Sequence, residues 1–273
     1  MAPDTEVLIV EMGMRGLGEI ELLSRYAEPD VAIITNAGTA HLGRLGSLDN
    51  IAIAKCEIAQ HLNPQGVLIA HDCERLRKFN NFAGEKIFFS ISGAKVIERK
   101  AGYTIFIYKE DEYEIFTEGY FNVENAISAI EAGLALQMAP AEIKCGLASY
   151  KPIEKRWEAE NVAGLNIIND SYNANPDSMK ASVAAFLGLY PKPVVVLGDM
   201  GELGEQEARL HSQVGEALAN SAPEGTKFLT VGNLSLNIAD ALKGFDVTSV
   251  DTNKEAAEFL QKHAPKGSNV FRK

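Results

Sequence analysis

The sequence predicts a mixed α/β protein made of two consecutive units. Residues 7–10 (VLIV) and 31–34 (VAII) are continuous apolar runs rather than alternating ones, which is typical of parallel strands that helices cover on both faces. The same alternation of strands and helices begins again after Lys151 and Pro152. We therefore predict domains at 1–150 and 151–273, and a chain of 273 residues is long enough for each to bury a core.

Composition excludes several classes of protein. Hydrophobic residues make up 46% and charged residues 23% of the chain, as in ordinary globular proteins. A net charge of -11 argues against a general nucleic-acid surface. The acidic start is unlike a signal peptide, and no apolar run approaches the roughly 20 residues needed to span a bilayer. We expect a cytoplasmic monomer without a membrane span, whose three scattered cysteines are reduced thiols.

The first unit is predicted to contain a parallel sheet and a small antiparallel sheet. Three or four short segments between residues 86 and 118 (KIFFSI, KVIER, YTIFIY and YEIF) are rich in β-branched and aromatic residues and are joined by short turns, which indicates an antiparallel meander. Ser47 is a plausible N-cap of a helix that we expect to end near residue 62. The other predicted elements are helices at 19–26, 122–136 and 140–149 and a buried strand at 67–70.

The second unit is predicted to be a doubly wound, Rossmann-like α/β domain. Its apolar runs predict strands at 165–168, 194–197, 227–231 and 247–250. Helices are expected after Pro176 and at 207–219, 234–242 and 254–263. Residues 269–273 resemble the opening of a strand, so we expect this domain to be truncated at its end.

Three residues of the first unit predict half of a magnesium–nucleotide site. Glu11 follows the first apolar run, His41 lies on the loop after the second, and Lys55 lies on the next helix. Ligands of open α/β sheets bind beyond the carboxyl ends of the strands, so these side chains are expected to converge there. His71 and Asp72 end the next strand, and they are equally compatible with nucleotide contacts and with ordinary loop polarity.

A pair of asparagines begins the long helix of the first unit. Asn122 and Asn125 are one helical turn apart and share a face. Their two amides could recognise the edge of a base, although an asparagine at a helix start is more often a simple cap.

Polar residues follow two predicted strands of the second unit. Asp170, Asn173 and Asn175 lie on the loop NDSYNANPDSM, and Asp199 and Glu202 lie among the glycines of GDMGELG. Either loop could hold a polar substrate, and either could be favourable turn chemistry alone.

Arg156 precedes the first strand of the second unit, within EKRWE. It could form a salt bridge, or it could reach across the domain cleft to a phosphate.

Seven motifs together resemble the Mur ligase family of peptidoglycan synthesis, and in particular the branch that adds D-alanyl-D-alanine to a UDP-muramoyl tripeptide. They extend from near the first residue to about residue 219, and YNANPDSM and GDMGELG distinguish this branch from its siblings. In order they are VEMGMRGLGEIE, TNAGTAHLGRLGS, AKCEI, FNVENAISAI, RWE, NDSYNANPDSM and LGDMGELGEQEARLHSQVGE.

The resemblance implies a role for each matching residue. Glu11 and His41 would bind magnesium, and Lys55 would bind it as a carbamate, which is a carboxylate-like ligand. Asn122 and Asn125 would contact the adenine, Arg156 the ATP phosphates and Asp170 the ribose. Lys55 and Arg156 would be the catalytic residues, while Asn173 and Asn175 would lie near the incoming dipeptide.

The resemblance also implies a reaction. ATP would phosphorylate the carboxylate of UDP-N-acetylmuramoyl-tripeptide, and the amine of D-alanyl-D-alanine would attack the acyl phosphate to form an amide. ATP and Mg2+ would be the cofactors, because both steps bring anionic groups together. Closure of the second domain would exclude water from the acyl phosphate.

The sequence departs from the family at its ends. A family member would carry a UDP-sugar-binding domain and a GKT-type phosphate loop before the Glu11 strand, and GxxxxGK[ST] does not occur in this chain. Without such a loop we expect weak ATP binding and no turnover by this chain alone.

Two other functions remain open. One is a sibling amide ligase, such as a folylpolyglutamate or another muramyl ligase, and the other is a non-catalytic binding module that kept the fold.

Overall fold

A computed structural model describes residues 2–273, and its first half contains two small sheets. The parallel sheet has the order β1-β2-β3, and the antiparallel sheet has the order β4-β5-β6. The elements are α1 (Glu19–Ala27), β1 (Val31–Ile34), α2 (Leu42–Leu45), α3 (Leu48–Cys56), β2 (Val67–His71), α4 (Glu74–Phe79), β3 (Glu85–Phe89), β4 (Ala94–Lys100), β5 (Tyr103–Tyr108), β6 (Asp111–Ile115), α5 (Tyr120–Ala135) and α6 (Pro140–Ala148).

The second half contains one six-stranded sheet with the order β11-β10-β9-β12-β8-β7. All neighbouring strands are parallel except β7, which pairs antiparallel to β8. The elements are β7 (Glu158–Val162), β8 (Leu165–Asn169), α7 (Pro176–Leu187), β9 (Pro193–Gly198), α8 (Glu207–Ser221), β10 (Lys227–Val231), α9 (Leu236–Ala241), β11 (Asp246–Val250), α10 (Asn253–His263) and β12 (Asn269–Arg272). The predicted mixed α/β class is therefore confirmed.

Helix α3 begins where the sequence predicts and ends earlier. The hydroxyl of Ser47 accepts a hydrogen bond from the backbone N–H of Asn50 at 3.1 Å, as an N-cap does. The α-helix ends at Cys56 and continues as a short 3-10 turn over Glu57–Ala59. Glu57 is buried and accepts a hydrogen bond from Gly18 N–H at 2.7 Å, so this turn holds the start of α1.

The apolar run at residues 7–10 is not a strand, and this prediction was wrong. These four residues form no regular secondary structure and are unpaired within the described chain, and their exposed fractions range from 48% to 90%. A strand needs a hydrogen-bonded neighbour, and β1 pairs only with β2 in the described residues. Glu11 therefore follows an exposed segment rather than a buried strand.

The predicted meander of three or four strands contains three. The KIFFSI segment forms β3, which pairs parallel to β2 in the first sheet. Helix α4, which the sequence analysis did not predict, makes the crossover that a parallel connection requires. Only β4, β5 and β6 form the antiparallel meander.

The last strand lies in the interior of its sheet. Residues 269–273 were predicted as the opening of a strand, and residues 269–272 form β12 between β8 and β9. Strand β7, which was not predicted, extends the sheet at the side of β8.

One hydrophobic cluster joins the two halves. Ile51 and Leu45 of the first half belong to the same buried cluster as Val183 and Leu203 of the second. Gly43 lets the chains approach closely, because a Cβ there would lie 2.5 Å from the backbone nitrogen of Gly204. Within residues 2–273, no helix combines the length and the apolar composition that crossing a bilayer requires.

Candidate functional site

A cleft of about 500 Å3 lies between the two halves. Its wall is formed by the loop after β1, the start of α5, the segment before β7, the loop after β8 and the start of α7. Its volume is typical of small-molecule sites. Six residues predicted from sequence line it, namely Asn122, Asn125, Arg156, Asp170, Asn173 and Asn175.

The two asparagines of α5 face this cleft, and neither is the N-cap, which is Gly119. The amide nitrogen of Asn122 donates to the Thr117 hydroxyl at 3.0 Å and to the carbonyl of Glu118 at 2.6 Å. The Asn125 amide has no hydrogen-bond partner among residues 2–273. Asn122 is therefore fixed in orientation, while the Asn125 amide is available to a ligand.

Arg156 is held by stacking rather than by a salt bridge. Its guanidinium carbon lies 3.9 Å from the centroid of the Tyr172 ring, and it forms no ion pair with the described residues. A stacked guanidinium keeps its N–H edges available for an anion. Arg156 therefore forms no salt bridge with the described residues, and its guanidinium is free to bind an anion in the cleft that it lines.

Asp170 follows β8 and is joined to two residues that the sequence analysis missed. Its Oδ2 accepts hydrogen bonds from the Ser182 hydroxyl at 2.7 Å and from the Lys273 ammonium at 2.5 Å. Both of these residues line the cleft. Lys273 could have been found from its place at the end of a predicted strand, where functional side chains of parallel sheets lie.

Asn173 and Asn175 combine turn chemistry with a place in the cleft. Asn175 is the N-cap of α7, and its Oδ1 accepts from Ser178 N–H at 2.9 Å. Asn173 accepts from the backbone N–H of Ala174 at 2.8 Å. Asn175 Oδ1 also accepts from the Thr39 hydroxyl at 3.5 Å. The contacts observed are therefore those of a helix start and of the junction with the loop after β1, and none of them distinguishes a substrate role.

A buried carboxylate connects the two halves through Trp157, which lines the cleft. Glu118 accepts hydrogen bonds from the indole N–H of Trp157, the hydroxyl of Tyr190 and the backbone N–H of Gly102. Burial, together with the contact to Glu118, raises the pKa of Tyr190. Because Glu118 also accepts from Asn122 through its carbonyl, this contact couples the α5 start to the segment containing Arg156.

The three predicted metal ligands make no hydrogen bond or ion pair with one another in residues 2–273. His41 Nδ1 lies 2.6 Å from Glu202 Oε2, and the Glu202 carboxylate also accepts from Arg44 at 3.0 Å. Lys55 donates to the Asn36 amide oxygen at 3.1 Å. Glu11 is exposed and has no polar partner within residues 2–273. In this part of the chain, no three His, Cys, Asp or Glu side chains are grouped as metal ligands.

Burial changes the chemistry of Lys55. It lowers the pKa of the Lys55 amine to about 8, because a charged ammonium is disfavoured away from water. A larger fraction of the amine is therefore uncharged near neutral pH than in an exposed lysine. Asn36, its hydrogen-bond partner, lines the cleft.

Other candidates from sequence lie outside the cleft. His71 Nε2 lies 3.4 Å from Glu124 Oε1, and Asp72 pairs with Arg77 at 2.5 Å. Asp199 accepts from Ser235 N–H at 2.7 Å, just before α9. Each of these three polar side chains therefore has a partner within the protein, and no ligand is needed to explain its presence.

A second cavity of about 530 Å3 lies beside the 3-10 turn and residues 79–84. It contains none of the residues predicted to bind nucleotide or substrate. We therefore assign the candidate site to the cleft between the halves, where the predicted residues are.

The fold and the cleft define a two-part α/β protein, with a cleft of a size typical of small-molecule sites between a parallel-sheet unit and a doubly wound unit. Two family models match the chain, the Mur ligase middle domain over residues 1–133 and the Mur ligase glutamate ligase domain over residues 155–272. The chain therefore belongs to the Mur ligase family.

Relatives and solved structures agree with this family. The UDP-N-acetylmuramoyl-tripeptide–D-alanyl-D-alanine ligase of Bacillus subtilis is 37% identical over 99% of this chain and 62% of its own length. MurF of Acinetobacter baumannii superimposes with a TM-score of 0.84 at 29% identity, over 95% of this chain and 60% of that one. MurF of Thermotoga maritima, solved in complex with ADP, gives a TM-score of 0.83 at 26% identity, over 98% and 63%. This chain spans about 60% of the length of these relatives.

Proposed function

We propose that this chain contributes the nucleotide cleft of an ATP-dependent ligase that joins D-alanyl-D-alanine to UDP-N-acetylmuramoyl-tripeptide. The observation that supports this most strongly is that one cleft contains all six residues predicted to contact nucleotide or dipeptide. The relatives named for this reaction, and the one solved with ADP, support the same substrates. The domains would be a central ATP-binding domain at 1–150 and a closing domain at 151–273.

The nucleotide would lie with its base against α5. The unpartnered amide of Asn125, beside the oriented Asn122, suits the polar edge of adenine. Asp170 would accept hydrogen bonds from the ribose, and the stacked guanidinium of Arg156 would face the phosphates. Asn173 and Asn175 would lie near the dipeptide, since they follow Asp170 along the same wall.

We further propose Mg2+ as the cofactor, with Glu11, His41 and a carbamate of Lys55 as ligands. The donor chemistry fits, because Glu11 and the Nε2 atom of His41 have no partners within residues 2–273. Lys55 becomes an oxygen donor only after its uncharged amine reacts with CO2, and its lowered pKa of about 8 favours that reaction. Bound Mg2+ would neutralise phosphate charge and orient the γ-phosphate.

The residues of the chain suit both chemical steps. In the first, a carboxylate oxygen of the tripeptide displaces ADP from the γ-phosphorus, and Arg156 stabilises the negative charge on the transferred group. In the second, the dipeptide amine forms a C–N bond, loses a proton and expels inorganic phosphate. The cleft walls would shield the acyl phosphate from water. The product would serve cell wall synthesis, and hence cell shape and division, from the cytoplasm.

Nucleotide binding tests this proposal directly. We expect titration calorimetry to detect binding of ADP with Mg2+ to the purified chain. Asn125→Ala should weaken it about three- to tenfold, the value of one neutral hydrogen bond. Arg156→Gln should weaken it more than about tenfold, because a charged contact is lost. Asn253→Ala, at the exposed start of α10, is the matched control.

Phosphate release tests the reaction and its acceptor. From its sequence we expect no turnover by the chain alone, with ATP, the UDP-linked tripeptide and D-alanyl-D-alanine present. Release that requires D-alanyl-D-alanine and disappears in Glu11→Ala would support the acceptor and contradict the expected inactivity. Release that requires L-glutamate instead would favour a sibling ligase. ADP binding that is absent, or unchanged by the Asn125 and Arg156 variants, would contradict the proposed cleft.

A further inference from the structure

A buried lysine lies in the cleft wall beside the residue proposed to hold the ribose. The Lys273 side chain is only 4% exposed, and Asp170 is 13% exposed. The Lys273 ammonium lies 2.5 Å from Asp170 Oδ2 and 3.4 Å from the Ser182 hydroxyl, which itself donates to the same Oδ2 at 2.7 Å. These three residues form a closed polar group, which we name the Asp170 anchor.

The anchor leaves one carboxylate oxygen unused. Oδ2 accepts two hydrogen bonds, whereas Oδ1 has no partner among residues 2–273. A carboxylate group rotates broadly about its terminal bond, and two donors on one oxygen oppose that rotation. Asp170 therefore presents a fixed acceptor at the wall of the cleft that it lines.

The register of the sheet, and not a loop, determines this arrangement. Arg272 of β12 pairs with Asn169 of β8, and Asp170 N–H donates to the Arg272 carbonyl at 2.9 Å. Lys273 N–H donates to the Val196 carbonyl of β9 at 3.0 Å. Lys273 and Asp170 thus lie side by side at the carboxyl ends of neighbouring strands, where ligands of parallel sheets bind.

The burial of the Lys273 ammonium group requires an explanation, because it is energetically unfavourable. A buried charge is costly even when it is paired, and a hydrophobic pair of similar size is often as stable. A lysine that only filled space would not need to contact a carboxylate that lines the cleft. Orientation of that carboxylate for a ligand explains both its burial and its contacts.

We propose that Lys273, assisted by Ser182, is a positioning residue that orients Asp170 so that its free oxygen recognises the vicinal hydroxyl groups of a ribose. The inference rests on the proposed nucleotide function and extends it to how the sugar is selected. Lys273 need not touch the nucleotide for this role.

The test compares two probes, ADP and 2′,3′-dideoxy-ADP, by titration calorimetry on the whole chain. Wild type should bind ADP about tenfold or more tightly than the dideoxy probe, as expected for a hydrogen bond to a charged group. In Lys273→Met the preference should fall below about threefold, because only ADP binding weakens. Lys273→Arg should retain much of the preference, and Ser182→Ala should be intermediate.

Two controls separate positioning from loss of structure. Lys266→Met, at an exposed site before β12, should leave the preference unchanged. The double variant Asp170→Asn, Lys273→Met removes both charges, and it should fold and also lack the preference. Circular dichroism melts would establish that each variant is folded before titration.

The outcomes decide between three conclusions. Equal weakening of both probes in Lys273→Met would indicate a purely structural lysine and overturn the inference. An unchanged preference in that variant would overturn it as well, while the proposed function would stand. Absence of ADP binding by wild type would contradict the proposed function and, with it, this inference.

Discussion

Similar apolar runs have different structures in the two halves of this protein. In the second half, apolar runs such as residues 194–197 form buried strands with a neighbour on each side. In the first half, the equally apolar residues 7–10 have no paired neighbour in the described chain and are exposed. A continuous apolar run therefore indicates the environment a segment suits, and hydrogen-bonded neighbours determine whether it becomes a strand.

The same contrast applies to the candidate residues. Those placed by the six-stranded sheet and by α5 meet in one cleft, whereas Glu11, which follows the unpaired run, makes no polar contact with His41 or Lys55 in the described residues. A functional site has a precise geometry only when the strands and helices that carry its side chains are themselves held by hydrogen bonds and packing.

The largest effect is expected in the centre of the six-stranded sheet. Phe271 is fully buried in β12, with its ring centroid 5.3 Å from that of Phe186 and 5.7 Å from that of Trp157. Phe271→Ala should lower the free energy of unfolding by about 3–5 kcal/mol because it leaves a cavity. Urea denaturation followed by circular dichroism measures this. Phe271→Leu, the control, should cost less, and equal costs would contradict the cavity explanation.

A slightly smaller effect is expected where the halves meet. Glu118→Ala would leave the donors of Trp157, Tyr190 and Gly102 without their acceptor. Buried unpaired donors cost about 1–3 kcal/mol each, and partial solvation should limit the total to about 3 kcal/mol. Trp157 is the only tryptophan, so its emission should shift to the red. Glu118→Gln keeps an oxygen acceptor, and a loss as large as that of the alanine variant would argue against these contacts.

A pH-dependent effect is expected in the first half. The hydrogen bond to Glu124 raises the pKa of His71, and the same bond lowers the pKa of Glu124. The His71 contribution is therefore complete below its ordinary value of 6.5 and is lost as pH rises through the raised value. The Glu124 contribution is present above 4.5 and is lost as pH falls through the lowered value.

His71→Asn should consequently destabilise the protein more at pH 5.5 than at pH 8.5, by about 1 kcal/mol or less for this partly exposed pair. Denaturation of wild type and variant at both pH values measures the difference. His263→Asn, on the exposed end of α10, is the control. A larger difference at pH 8.5 would reverse the predicted sign.

The smallest effect is expected at the unpaired run. Ile9 is 90% exposed, so Ile9→Ser should change the free energy of unfolding by no more than about 0.5 kcal/mol. It should nevertheless reduce binding of a dye that senses apolar surface. Val195→Ser, at a buried position of β9, should cost several times more, and similar costs would mean that residues 7–10 are covered in solution.

Much of the fold followed from local patterns. Alternating strands and helices, the Ser47 cap and a helix that begins close to Pro176 were all predicted and are observed. Local patterns could not predict which strands pair with each other. The assignment of β3 to the parallel sheet, the interior place of β12 and the unpaired state of residues 7–10 all depend on distant segments.

The site was predictable to a similar extent. Strand-end polarity located Asp170, and helical spacing located Asn122 and Asn125. The contacts of Glu118 and Lys273 were not foreseen, because each connects residues far apart in sequence through packing and register. Glu202 was considered for substrate binding, and its contact with His41 likewise joins distant loops.

The interior position of β12 has a consequence for how the protein is made. A ribosome synthesises β8 and β9 first, then β10 and β11, and only later the strand that separates β8 from β9. Until β12 leaves the exit tunnel, the gap between those two strands has no permanent occupant. During that interval the nascent second half is in an open form, in which Asp170 has not yet met Lys273.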